Sequence, residues 1–221
     1  MKKLNKNSDW ILKAVRRKRG YVLDYHRLLH AVSPDLLAAY DEFYTQFTLT
    51  GRSLTPVEKE TVWIALIGAT RARVGTIHLK RAVKAGMSKD TIADALALAG
   101  ACESLEALQF SAKAFADWTD RARLECRYLA AFDAARGHIR PELAEIAAVV
   151  AHAGRRNAEG MRIHLTRAFK RGAKRAKLAE GLSFVLLHCG GPTMVAAMDA
   201  WISASKRHRL PMPFPATQSD R

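Results

Sequence analysis

The chain has 221 residues, 49% of them apolar, enough for an ordinary core in one large domain or two small ones. Its apolar runs fall far short of the ~20 residues that a membrane helix needs, and three widely spaced cysteines with no CxxC exclude a disulfide framework and a cysteine-rich zinc site. Lys and Arg number 36 against 21 Asp and Glu, a formal charge of +15 that draws anions such as nucleic acid, acidic lipid or small polycarboxylates.

Residues 1–22 read as a basic surface arm, with Lys2, Lys3, Lys6, Lys13, Arg16, Arg17, Lys18 and Arg19 clustered there. Trp10, Ile11 and Val15 allow one amphipathic turn before Gly20. The segment lacks the apolar stretch of a secretory signal, so cytoplasmic location is the default expectation. His26 and His30 lie four apart on one helix face. Without an HExxH pattern or a third ligand nearby they read as a surface or interface pair, and no metal site is expected.

Ser33-Pro34 opens a helix with Ser at N-cap and Pro at N1. Thr55-Pro56-Val57-Glu58 opens another and adds a capping box. That second helix is apolar nearly all round after Thr61, which places it inside a bundle. A helix around His78 should end near Ala85, with Gly86 as a left-handed C′ residue. Ser88 caps the next helix, and a separate one is expected from Leu105 to about Trp118. The charged stretch 119–125 reads as a junction, followed by a helix ending at Gly137 and another opened by Pro141. The three cysteines read as buried structural thiols, and the Pro-rich tail 209–221 as extended, either docked along a neighbour or disordered. No run has strand-like alternation, so the chain reads as all-α.

One stretch recurs. Residues 77–96, IHLKRAVKAGMSKDTIADAL, return 86 positions later as IHLTRAFKRGAKRAKLAEGL, residues 163–182. Ile77, His78, Leu79, Arg81, Ala82, Lys84, Gly86, Ala93 and Leu96 are identical in the second copy, where His164 answers His78. The repeat divides the chain into units 23–121 and 122–208, which should pack as a pseudo-dimer about a pseudo-two-fold axis.

With these motifs laid out, the chain resembles the carboxymuconolactone decarboxylase family, which includes the alkylhydroperoxidase D-like proteins. The resemblance rests on LTPVEKETVWIALIGA (54–69), His78-Leu79-Lys80-Arg81-Ala82, Gly86 and the SKDTIADAL helix, and in the second copy on LLHCGGPTMVAAMDA (186–200). It implies an all-α fold, and for a chain with two units a homo-oligomer, a trimer of such chains. The peroxidase branch carries CxxC ending four residues before the motif histidine. Here those positions hold Arg71 and Val74 in one copy and Asn157 and Gly160 in the other, so dithiol peroxide reduction is not expected. The decarboxylase branch keeps the histidine without the cysteines.

The resemblance makes His78 and His164 candidate proton carriers and aligns Glu60 with the family glutamate; the bland reading of either histidine is helix packing. The position opposite Glu60 holds Ile146, with Glu145 one residue earlier, so the two copies are expected to be unequal. Arg71, Arg73 and Arg81 could orient a carboxylate. His188, Gly190 and Gly191 form either a carboxylate-binding nest before a helix or a plain turn. The implied activity is cofactor-free decarboxylation or isomerisation of a small cyclic carboxylate, with histidine as general acid or base. The alternative is a non-catalytic duplicated scaffold that binds a partner or nucleic acid through the basic arm. Nothing like a helix-turn-helix or an aromatic–basic alternation supports nucleic acid.

Overall fold

A computed structural model describes residues 9–215, and these contain eleven α-helices and no strand. The chain forms two compact units that divide at Thr50/Gly51. None of the helices is long and apolar enough to cross a membrane.

The first unit holds helices α1 (Trp10–Arg19), α2 (Asp24–Val32) and α3 (Pro34–Tyr44), the last running into a π-helical turn at Thr45–Leu49. The expected surface arm is, from residue 10, a full helix. Ile11 and Val15 are buried with Leu37, because the apolar positions of α1 recur on one face. Arg19 is also buried, and Asp41 accepts from its Nε at 2.9 Å and from Lys18 Nζ at 2.5 Å. Burial would raise Asp41, but these two cations hold it below the usual carboxylate range. His26 and His30 are buried rather than on the surface. Arg19 Nη1 lies 3.1 Å from His26 Nε2, and burial followed by that charge pulls His26 down to about 4. The rest of the arm, residues 1–8, lies outside the described residues.

The second unit is built on two central helices, α4 (Pro56–Ala69) and α8 (Pro141–Gly154). Both are buried on almost every side and pack on each other. Around them lie α5 (Thr76–Lys84), α6 (Lys89–Ala114), α7 (Arg121–Ala135), α9 (Ala158–Lys170), α10 (Arg175–Cys189) and α11 (Gly191–His208). One core joins them, from Val62 and Leu66 through Leu98 to Val150 and Trp201. The start signals act as their chemistry requires. Thr55 Oγ1 accepts from Glu58 N, and Thr55 N donates to Glu58 Oε2. Gly86 and Gly172 end α5 and α9 at φ +92 and +81.

The repeat continues into α4 and α8, with one change of spacing. Pro56 and Pro141 both sit at N1, and Arg71 and Arg156 both end their helix in the left-handed region at φ 54 and 59. These pairs are 85 apart, whereas the His78 and His164 segments are 86 apart. One extra residue therefore enters the second copy between α8 and the body of α9.

Two local expectations change. α6 runs unbroken for 26 residues through Gly100 and Cys102, where a helix break was expected, because Ser104 and Leu105 stand where the second copy has Gly190-Gly191. Only the second copy breaks there, with Gly190 at φ +83 between α10 and α11. Cys102 is buried and Cys189 half-buried, but Cys126 is exposed on the outward side of α7. The described part of the tail docks on its own helix, where Trp201 Nε1 and Ser205 Oγ both donate to the Pro211 carbonyl at 3.0 Å.

Helix α4 meets α6 at Gly68, where an added Cβ would lie 2.8 Å from that of Ala99, while Gly100 has open space around it. Gly68→Ala should cost about 1–3 kcal/mol, and Gly100→Ala should add about 0.5–1 kcal/mol. Urea denaturation of the two variants should move the midpoint in opposite directions.

Candidate functional site

Each motif histidine meets a carboxylate from a central helix. His78 Nδ1, on α5, lies 2.8 Å from Glu60 Oε2 on α4, and both side chains are 7% exposed. His164 Nδ1, on α9, lies 2.6 Å from Glu145 Oε2 on α8, and both are fully buried. The unequal copies expected from the sequence thus both keep their acid. The 85-residue spacing of the central helices puts Glu145, not Ile146, opposite Glu60. A carboxylate in an apolar bundle needs such a partner, since unpaired burial of the charge is costly.

The surroundings differ. In the first copy Trp63, one helical turn beyond Glu60, lies flat on the His78 ring, with centroids 4.4 Å apart and planes at 20°. Phe184 of α10 stacks on the other face of Trp63 at 4.7 Å. His188, at the end of α10, stands edge-on to Trp63 at 6.1 Å. Its Nε2 lies 2.7 Å from Thr70 Oγ1, whose hydroxyl proton goes to the Leu66 carbonyl at 2.8 Å. His188 Nε2 must then be the donor. Burial, then the charge of His78, lowers the His188 pKa, and the neutral ring keeps an Nδ1 lone pair. His78 makes no hydrogen bond through Nε2 to the described residues.

In the second copy both ring nitrogens of His164 are engaged. Its Nε2 lies 2.6 Å from Tyr128 OH of α7, and that hydroxyl reaches His152 Nε2 of α8 at 3.0 Å. Arg167 Nε donates to Glu145 Oε1 at 2.8 Å, and Asp133 ties down Arg167 and Arg171. A groove of about 530 Å³ between α6, α7 and α9 lies over this network. Its lining residues Leu105 and Ile163 pack onto Tyr128 and separate the two. Burial pushes Glu145 up to about 7 against the pull of Arg167, and drives His164 down to about 3. Burial also holds His152 well below its usual value. The Cys102 thiol beside Tyr128 is pushed up to about 12 by burial, so it is not a nucleophile at neutral pH.

The structure therefore brings Glu60, His78 and His188 together around Trp63. It leaves the other expected residues apart or occupied. Arg71 is exposed and bound to Glu103 at 2.5 Å, and Arg73 is exposed on a 3₁₀ turn. Arg81 is half-buried on α5. Gly190 and Gly191 follow His188 at the α10–α11 junction, where a Cβ on Gly191 would meet nothing within 4 Å. Reading the sequence missed Trp63 as a site residue, and also Tyr128 and His152. Trp63 was open to discovery, because three positions after Glu60 it shares that residue's helix face. Tyr128 reaches His164 from a distant helix and left no spacing signal.

Two tests bear on the second cluster. Tyr128→Phe leaves His164 Nε2 and His152 Nε2 without their hydroxyl, so it should cost about 1–3 kcal/mol in urea denaturation. Below about 6.5 the unfolded chain protonates both histidines, while the folded chain keeps them neutral. Their contribution is therefore present above that pH and lost on acidification. Glu145 works the other way, since its raised value stabilises the fold at low pH and that gain is lost as pH rises through about 7. Two histidines outweigh one acid, so the urea midpoint should be lower at pH 5.5 than at pH 7.5. Glu145→Gln, which removes the opposing group, should make the difference larger.

No curated protein matches this sequence. Residues 34–117 match the model of the carboxymuconolactone decarboxylase family. A crystal structure from Burkholderia xenovorans LB400, provisionally described as a gamma-carboxymuconolactone decarboxylase subunit, aligns with a TM-score of 0.60. The alignment covers 91% of this chain and 98% of that one at 15% identity, a likeness of fold. The matched stretch carries Glu60, Trp63 and His78, and the chain shares the all-helical fold of that crystal structure.

Proposed function

We propose that the chain is a cofactor-free decarboxylase or isomerase of a small cyclic carboxylate, with His78 as its proton carrier. The observation that carries this reading is the 2.8 Å contact between His78 Nδ1 and Glu60 Oε2. Glu60 accepts from Nδ1–H and thereby fixes the ring, leaving Nε2 to face a substrate. Histidine is the side chain that takes and returns a proton near neutral pH.

In a decarboxylation the bond between ring carbon and carboxylate breaks and CO₂ leaves. The electron pair moves into the conjugated ring and onto its carbonyl oxygen. Protonated His78 then delivers the Nε2 proton to carbon, Glu60 steadies the charged imidazolium, and water restores the proton. An isomerisation uses the same nitrogen to remove a proton at one carbon and return it at another. The apolar walls of Trp63 and Phe184 suit loss of a charged carboxylate, and the net charge of +15 draws a dianionic substrate. Catalysis is assigned to the first copy because His164 has both nitrogens bonded and no exposure.

The test is turnover of γ-carboxymuconolactone. His78→Gln keeps the size of the side chain and removes the proton transfer, so kcat should fall ~10²–10⁴-fold with the helical circular dichroism unchanged. Glu60→Gln should lower kcat by a smaller factor. Normal turnover by His78→Gln would remove this assignment.

A further inference from the structure

Trp63 is 2% exposed, and its indole Nε1 is fully buried without an acceptor among the described residues. A buried indole N–H ordinarily finds one, because the group can only donate. This chain supplies a direct contrast. Its other fully buried tryptophan, Trp201, donates to the Pro211 carbonyl at 3.0 Å. The Trp63 ring is held between His78 and Phe184, with interplanar angles of 20° and 12°. Swinging the indole to a protein acceptor would break both stacks.

The neighbouring nitrogens have defined roles. Nδ1 of His78 is taken by Glu60, and Nε2 of His188 by Thr70. That leaves one fixed donor in Trp63 Nε1–H, one lone pair in neutral His188 Nδ1, and His78 Nε2, which changes role with its proton. We infer that Trp63 Nε1–H is the hydrogen-bond donor for the carbonyl oxygen of a planar, unsaturated cyclic carboxylate. This inference deepens the proposed function and rests on it for the ligand class. The donor is in place before binding, so it strengthens as negative charge develops on that oxygen and needs no reorganisation. It also selects: a ligand presenting N–H or O–H at that point meets a donor and is refused.

The probe is benzene-1,3-dicarboxylate, a stable planar diacid, together with γ-carboxymuconolactone as substrate. In the unaltered chain the Trp63 indole proton is assigned by its contacts to His78 and Phe184 and followed by ¹H–¹⁵N NMR. It should move downfield saturably with either compound. Trp63→Phe keeps a flat ring between His78 and Phe184 but lacks the N–H, so affinity for the diacid or kcat/KM for the lactone should fall about 10–100-fold. The Trp201 resonance should stay still in the same titration. An indole signal that moves with neither compound overturns the inference, as does a folded Trp63→Phe chain with unchanged binding and turnover. The two proposals separate cleanly. Turnover lost in His78→Gln but kept in Trp63→Phe leaves proton transfer standing and removes the indole donor. Diacid binding that shifts Trp63, with no turnover of the lactone by the unaltered chain, leaves the donor standing and removes the decarboxylase reading.

Discussion

The second unit depends on placing a carboxylate inside each of its two central helices. α4 and α8 are enclosed on almost all sides, so Glu60 is left with little contact with bulk water and Glu145 with none. Each needs a proton or a cationic donor at hydrogen-bond distance. The motif histidines meet that demand, at 2.8 Å and 2.6 Å. Placing the histidine fixes the following helix against the central one, and the left-handed glycine at its end turns the chain back. The repeated segment is therefore one device used twice: an acid from the central helix, a histidine from the next, and a glycine turn.

Much of this was legible in the sequence because it is written in local chemistry. Thr55-Pro56-Glu58 and Ser33-Pro34 mark helix starts by capping alone, and Gly86 and Gly172 mark ends by the backbone conformation they allow. The buried character of α4 follows from apolar residues on all its faces. The pairing of Glu60 with His78 was within reach of the family resemblance. Glu145 was placed one position off because the repeat was extended rigidly at 86 residues across a loop that holds one extra. The two N1 prolines, 85 apart, carried the right register.

What stayed hidden depends on packing between distant segments. Nothing local tells that α6 passes unbroken where the second copy breaks; a missing glycine pair is a negative signal. The basic segment looks solvated by composition, yet Asp41, twenty-two residues after Arg19, draws that cation inside. His26 is buried beside that same cation, 3.1 Å from Arg19 Nη1. The charge on α1 is thus partly spent within its own unit, which its sequence alone does not reveal.

The two histidines also show how one arrangement yields two different states. Around His164, Tyr128 OH occupies the hydrogen-bonding direction of Nε2, and His152 lies stacked on the imidazole at 5.2 Å. Around His78 the stacked ring is Trp63, and no hydroxyl of the described residues takes Nε2. The links between Glu145, His164, Tyr128 and His152 can be made in two proton orders, His152 Nδ1 having no partner among the described residues in either. If Glu145 is ionised, His164 Nδ1–H donates to it, Tyr128 O–H donates to His164, and His152 Nε2–H donates to Tyr128. If Glu145 holds the proton, every arrow reverses. Either order closes the chain within the protein, so His164 has no use for a ligand oxygen. The first copy has the same acid and the same imidazole but no tyrosine to complete them. An oxygen brought from outside can take the place that Tyr128 OH fills in the second copy, and this is the physical reason for assigning chemistry to His78 and packing to His164.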